Sequence, residues 1–415
     1  MYHFIYPYKD SFVSDENSMM ENHNFGGDEN LVLRKTFTGK SNVHGEPQID
    51  GVTRILLYFN LSELSQSIVA TEIPTDAQYN LRLYEKKTSE LAPKYTLTSY
   101  MLYESQSMAW TNGTGVMESD PNKQDGVTWE KTDHRFGDNW YMPGMDSIPC
   151  TMAQITTPMY WGHPYLDGGG QTDSRSYGGG VWYDEGYFVG NNGFTESLAT
   201  VSRQGYSYES PDINMDVTRM IHMWLDGTRE NYGMVVKWPG RWSGSQEIDP
   251  KKSGNMNFYS YEADSIYSPK IEIKYDTSTY TYTGDNIIET DRSKDVNVYM
   301  LNLKKIYKEK ESPKFRVAAR ERIQKKVVST MKSISNVFVL PQDKAWYSIT
   351  DIMTGEVIVP FDNYSKLSSD SKSSYFKQNL KGFINNRTYK IKFKLQMTDG
   401  KYKIFDGGFE FRVVS

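Results

Sequence analysis

Residue types able to do chemistry occur along this chain, but their spacing gives them little to do together. The six histidines (His3, His23, His44, His134, His163 and His222) never fall in HxH or HxxxH spacing, and Cys150 is the only cysteine. A zinc site built from neighbouring ligands, an intrachain disulfide and a persuasive thiol nucleophile all lack their raw material. The stretch GGGQTDSRSYGGG, from Gly168 to Gly180, has the backbone freedom of a phosphate loop. It lacks the Gly-Lys-Ser/Thr ending and a strand-to-helix frame, so a tightly turned loop is the plainer reading. No G-x-S-x-G elbow is present.

Carboxylates, tryptophans and lysines remain. Glu118 with Asp120, Asp133, and Asp184 with Glu185 lie where a glycosidase could converge two carboxylates, although nothing in the sequence fixes their separation. Trp110, Trp129, Trp140, Trp161 and Trp182 share that region and could stack on sugars or meet a neighbouring protein. Packing of the loops against the body is the reading their surroundings favour. From Leu303 to Val328 the chain carries ten Lys/Arg against three Glu, so this stretch holds about +7 of a formal total of −5. Lys304, Lys305, Lys308 and Lys310 are its candidate basic interface; contact with phosphates is the competing use.

The elements that must position these groups are mainly β. At 415 residues the chain can hold two or three cores, and its 14% aromatic content suits pleated surfaces. RILLYFNL puts Ile55, Leu57, Phe59 and Leu61 on one face of a strand. Tyr79–Lys86, Lys94–Ser105, Gly233–Trp238, Met256–Ala263 and Ser268–Asp276 repeat the period-two pattern. Their Gly, Pro, Asn and Asp punctuation predicts an antiparallel sandwich. DINMDVTRMIHMWLDGT predicts one short docked helix, with Asp216 placed to cap it and Gly227 to end it. Residues 105–210, rich in Gly and aromatics, are expected as long loops at one end of the sandwich.

A second β-region follows, in which Tyr389, Ile391, Phe393, Leu395 and Met397 alternate with Lys390, Lys392, Lys394 and Gln396. The expected organisation is therefore an N-terminal sandwich over 1–276, a linker over 277–311 that turns basic toward its end, and a smaller Ig-like sandwich over 312–415. No stretch reads as a signal peptide or a membrane span, so synthesis and folding in a cytoplasm are expected.

The first 276 residues resemble the disaggregatase-related (DNRLRE) β-sandwich family. The matching pieces are NFGGDENLVLR, TRILLYFNLSEL, MAWTNGTGVMESDPNKQDGVTWEK, NWYMPGMD, INMDVTRMIHMWLDGTRENYGMVVKW and FYSYEADSIYSPKIEIKYD, in that order. Met145 stands where the family has the second Gly of its Pro-Gly-Gly-Asp. GGGVWYDEG, PKFRVAARER and the segment from AWYSITD to YKIKFKL further resemble virion structural proteins of tailed bacteriophages.

That resemblance implies a non-enzymatic component of the tail, neck, collar or baseplate region, with no catalytic residue, cofactor or metal to carry over. Implied partners are other virion proteins and further copies in a symmetric ring. Host-surface glycans are the alternative partner, through a carbohydrate-binding module on the virion exterior. A glycan-cleaving enzyme is a third reading. Neither nucleic acid nor membrane is an expected partner.

Overall fold

The computed structural model describes residues 1–41, 47–102, 109–119, 121–140, 201–239, 249, 251–284, 286–291, 296–322, 338–341 and 343–415. The chain divides into two compact units. The larger comprises Ile5–Ile73 and Tyr79–Ile271; the smaller comprises Met1–Phe4, Pro74–Gln78 and Glu272–Ser415. The expected single crossing near residue 276 is thus joined by earlier ones, because short N-terminal and mid-chain pieces are spent on the smaller unit.

In the larger unit eight strands form one antiparallel sheet. Its spatial order is Val201–Ser207, Lys94–Met101, Met234–Lys237, Pro47–Tyr58, Asn30–Ser41, Asn255–Tyr259 and Glu85–Ser89, with Lys9–Ser14 also paired to Pro47–Tyr58. Pro47–Tyr58 is the spine. Ile55, Leu56 and Leu57 are all fully buried, as is Arg54, so both faces of RILLYFNL are covered rather than one. Arg54 lies 4.6 Å from the centre of the Trp129 ring, which lets a cation sit under cover against a π-face.

The same stretch also ends earlier than its pattern suggests. The strand stops at Tyr58 and Ser62–Val69 forms a helix, with the Ser62 N–H donating to Asn60 Oδ1 at 3.0 Å. Asn60 thus turns the chain one residue ahead of the N-cap position, Leu61, whose own side chain makes no capping bond.

The expected helix is present as Thr218–Leu225, and Val217, Met220, Ile221 and Trp224 face inward. Asp216 Oδ1 accepts the Thr218 N–H at 2.9 Å, while Gly227 at φ +75° follows the last turn. The helix is tied down through Tyr79, whose carbonyl accepts the Val217 N–H and whose own N–H donates to Thr218 Oγ1, both at 2.9 Å. Within 105–210, Val201–Ser207 is a strand in register with Lys94–Tyr100 and not loop. Gly205 and the exposed polar residues of this sheet-edge strand hide its alternation.

The smaller unit is a two-sheet sandwich. One sheet runs Val296–Met300, Lys314–Glu321, Ser374–Lys377, Ser368–Ser369; the other runs Ile306–Lys308, Tyr402–Val414, Thr388–Gln396, Ala345–Asp351, Val357–Val359. Tyr389, Ile391, Phe393, Leu395 and Met397 are buried as their alternation requires. Phe376 stacks on Tyr347 at 3.8 Å between centroids, and Phe315 meets Phe411 at 5.5 Å, closing one sheet on the other. The expected linker over 277–311 contains two of these strands, Val296–Met300 and Ile306–Lys308, whose brevity and polar flanks mask them.

Arg316 pins the two halves of the first sheet. Its guanidinium forks onto Asp370 at 2.9 and 3.0 Å and donates to Ser373 Oγ at 2.8 Å. The fork holds the Asp370 carboxyl well below the usual carboxylate range. Arg316→Ala is expected to cost about 1–3 kcal/mol of unfolding free energy at neutral pH. The depressed carboxyl makes that stabilisation complete above the unfolded value near 4 and fading as the pH falls below it. Urea titrations of both proteins at neutral and acid pH measure this; an equal difference at every pH would refute the assignment.

Candidate functional site: the looped end and the basic edge

Parts of two of the pieces that carry the N-terminal resemblance, NFGG and the stretch from TNGTG to DGVTW, meet in space. Asn24 is fully buried and uses every hydrogen-bonding position of its amide. Nδ2 donates to the carbonyls of Asn112 (2.6 Å) and Val127 (2.8 Å), while Oδ1 accepts the N–H groups of Gly26 (3.1 Å) and Gly115 (2.9 Å). Asn112 reciprocates, donating from Nδ2 to the Gly26 carbonyl at 2.8 Å and accepting the Asp10 N–H at 3.1 Å. Backbone bonds from Gly27 to Gly115 (2.8 Å) and from Val127 to Thr111 (2.7 Å) complete the clasp.

The glycines allow this approach. A Cβ on Gly26 would overlap the Asn112 carbonyl, and one on Gly115 would overlap that of Asn24. NFGG, TNGTG and DGVTW are therefore parts of one knot, spaced to bring three loops within backbone contact.

Three of the five tryptophans belong to the same packing. Trp110, Trp129 and Trp140 are 1%, 0% and 5% exposed, so none offers a free face to a sugar or a partner. Their burial agrees with packing of the loops against the body rather than with contact to a sugar or a partner. Each indole has a defined setting: Trp110 Nε1 donates to the Tyr232 carbonyl (3.1 Å), Trp140 Nε1 donates to that of Thr128 (3.3 Å), and Trp129 lies under Arg54. Trp161 and Trp182 lie outside the described residues, as do Asp120, Asp184, Glu185, Cys150, His44, His163 and residues 168–180.

Asp133 is buried and accepts from Thr111 Oγ1 (2.7 Å) and from the Arg135 guanidinium (2.7 and 3.1 Å). Those partners, Arg135 foremost, hold its carboxyl below the usual range. The depressed carboxyl does not suit the general acid of a glycosidase pair, and its bonds to Thr111 and Arg135 brace the loop. His23 is another brace within its loop. It is 2% exposed, accepts the Lys123 N–H on Nδ1 (3.1 Å) and therefore donates from Nε2 to the Val116 carbonyl (2.8 Å).

The basic candidates behave differently. Lys304, Lys305, Lys308 and Lys310 are all exposed. Lys304, Lys305 and Lys310 flank Ile306–Lys308, an edge strand that ends in the fourth lysine and pairs parallel with the end of Tyr402–Val414. Lys314 and Arg316, farther along the stretch, are engaged with Asp370, and 323–328 lie outside the described residues.

Sequence reasoning missed Asp10, a buried carboxylate in the larger unit. Its Oδ2 accepts the Tyr261 N–H at 2.8 Å, and burial pushes its carboxyl up to about 7. Alternation alone could not flag it, because acidic residues are common on strand faces. Among the described residues no group of three His, Cys, Asp or Glu could hold a metal ion, and no helix is long and apolar enough to cross a membrane. Comparison of the chain with protein families, curated proteins and solved structures returned no match.

Proposed function

We propose that this chain is a non-enzymatic structural component of a tailed-bacteriophage virion, in the tail, neck, collar or baseplate region. It acts by protein–protein assembly with other virion proteins and with copies of itself in a symmetric ring. The observation that carries the reading is the Asn24–Asn112 clasp: residues from two of the pieces on which the family resemblance rests are spent on one another, as a loop-locking device. A locked loop end suits a part that must keep its shape outside cells. The exposed lysines around Ile306–Lys308 supply a charged surface for a neighbour.

Particles purified from a lysate of the phage encoding the chain test this directly. The chain is expected among the stoichiometric virion proteins by mass spectrometry, and both units are expected to fit density in a cryo-EM map. Its absence from purified particles would overturn the proposal.

A further inference from the structure

The last strand of the smaller unit, Tyr402–Val414, is longer than its neighbours can cover. Along one side it pairs with Thr388–Gln396; along the other, Ile306–Lys308 reaches only Arg412 to Val414. The hydrogen-bond phase shows which groups the uncovered part presents. Met397 N–H donates to the Lys401 carbonyl at 2.8 Å, which makes that facing pair hydrogen-bonded. By alternation Lys403 and Phe405 also bond inward to the neighbouring strand, while Tyr402 and Ile404 turn their N–H and C=O groups to the open edge. The opposite end agrees, since Arg412 N–H donates outward to the Lys305 carbonyl at 2.8 Å. Among the described residues nothing pairs with the outward groups of Tyr402 and Ile404.

Their side chains are open as well: each is 57% exposed, and Ile306 on the same edge is 58% exposed. A bare edge of this kind templates strand addition unless something forbids it. Two features limit what can add. Register shifts between the pairs Ile391–Phe409 and Phe393–Phe405, and the Asp406-Gly407-Gly408 bulge there confines a flat edge to Tyr402–Phe405. Lys403 stands opposite Leu395, which places a lysine on the core side of the edge strand.

Lys401, Lys403, Lys304, Lys305, Lys308 and Arg412 are exposed on this edge. Asp406, one of the acids there, is already paired with Lys390 at 2.8 Å. Two copies joined edge to edge would oppose like charges, whereas an acidic strand meets complementary ones.

We propose that Tyr402–Phe405 accepts an extended acidic segment of a partner protein as an added β-strand. Main-chain bonds to Tyr402 and Ile404 would supply the register and the surrounding lysines the sign. The inference stands on the edge geometry and does not depend on the virion reading.

The test uses the full chain with two labelled, end-blocked peptides, one alternating glutamate with valine and one alternating lysine with valine, followed by fluorescence anisotropy. The acidic peptide is expected to bind at least about tenfold more tightly at low salt, with the difference shrinking as salt screens it. Ile404→Pro removes an outward N–H and no ladder bond, so the fold should persist by circular dichroism while affinity drops about tenfold or more. A Lys401→Glu/Lys403→Glu variant should lose the acidic peptide without unfolding. Three results would each overturn the proposal: equal binding of the two peptides, binding of neither, or unchanged binding by the folded Ile404→Pro protein. Self-association abolished by Ile404→Pro would also overturn it, in favour of a second copy as occupant.

Discussion

Asn24→Ala is expected to destabilise the larger unit by several kcal/mol, on the order of 3–5, one of the largest effects available from a single side chain here. The truncation removes four hydrogen bonds at once, leaving the carbonyls of Asn112 and Val127 and the N–H groups of Gly26 and Gly115 without that partner. Each buried backbone group left unsatisfied costs about 1–3 kcal/mol, less than additively because the loops relax.

Asn24→Asp is a sharper probe. It keeps an acceptor for the two glycine N–H groups but sets a carboxylate against two carbonyls in a fully buried position. It should therefore also destabilise, despite its near-identical volume. Gly115→Ala reaches the same end sterically, since its Cβ would collide with the Asn24 carbonyl. Urea unfolding measures the size, and hydrogen exchange at the Gly27 amide, bonded to the Gly115 carbonyl at 2.8 Å, localises it. Wild-type stability and protection in Asn24→Ala would mean the clasp forms no part of the fold's support.

Asp10→Asn should do the opposite and stabilise the protein, increasingly so as the pH rises. The folded chain holds the Asp10 proton up to about 7, against an ordinary 3.8. Between those values folding takes up a proton, so wild-type stability falls as the pH climbs through the window and the penalty is complete above it. A shift of that size corresponds to roughly 4 kcal/mol at most. Asparagine keeps an acceptor for the Tyr261 N–H and carries no charge into the buried site. The expected measurement is a flatter plot of unfolding free energy against pH from 4 to 7, with the two proteins converging at acid pH. Parallel plots would show that the carboxylate is solvated or otherwise neutralised.

Much of this protein was legible in its sequence, for a local reason. Strand alternation such as Tyr389 to Met397 and the helical spacing of Val217, Met220, Ile221 and Trp224 follow from backbone periodicity, which any buried face must obey. The mainly β class, the short docked helix and the C-terminal sandwich therefore came through. NFGG, TNGTG and DGVTW stood out in the sequence only as parts of a resemblance, without a mechanism.

Tertiary structure decided the rest, because each remaining feature depends on what lies opposite a residue. Arg54 reads as the solvent side of a strand until Trp129 covers it. Five tryptophans look alike in sequence; burial assigns three of them to packing. Asp10 becomes a proton-holding group only once neighbouring segments exclude water from it. Tyr402 and Ile404 look like ordinary strand residues, and among the described residues the shortness of Ile306–Lys308 leaves their edge bare. Periodicity fixes which way a side chain points along its own element, while the identity of its neighbour is a long-range contact that no local pattern encodes.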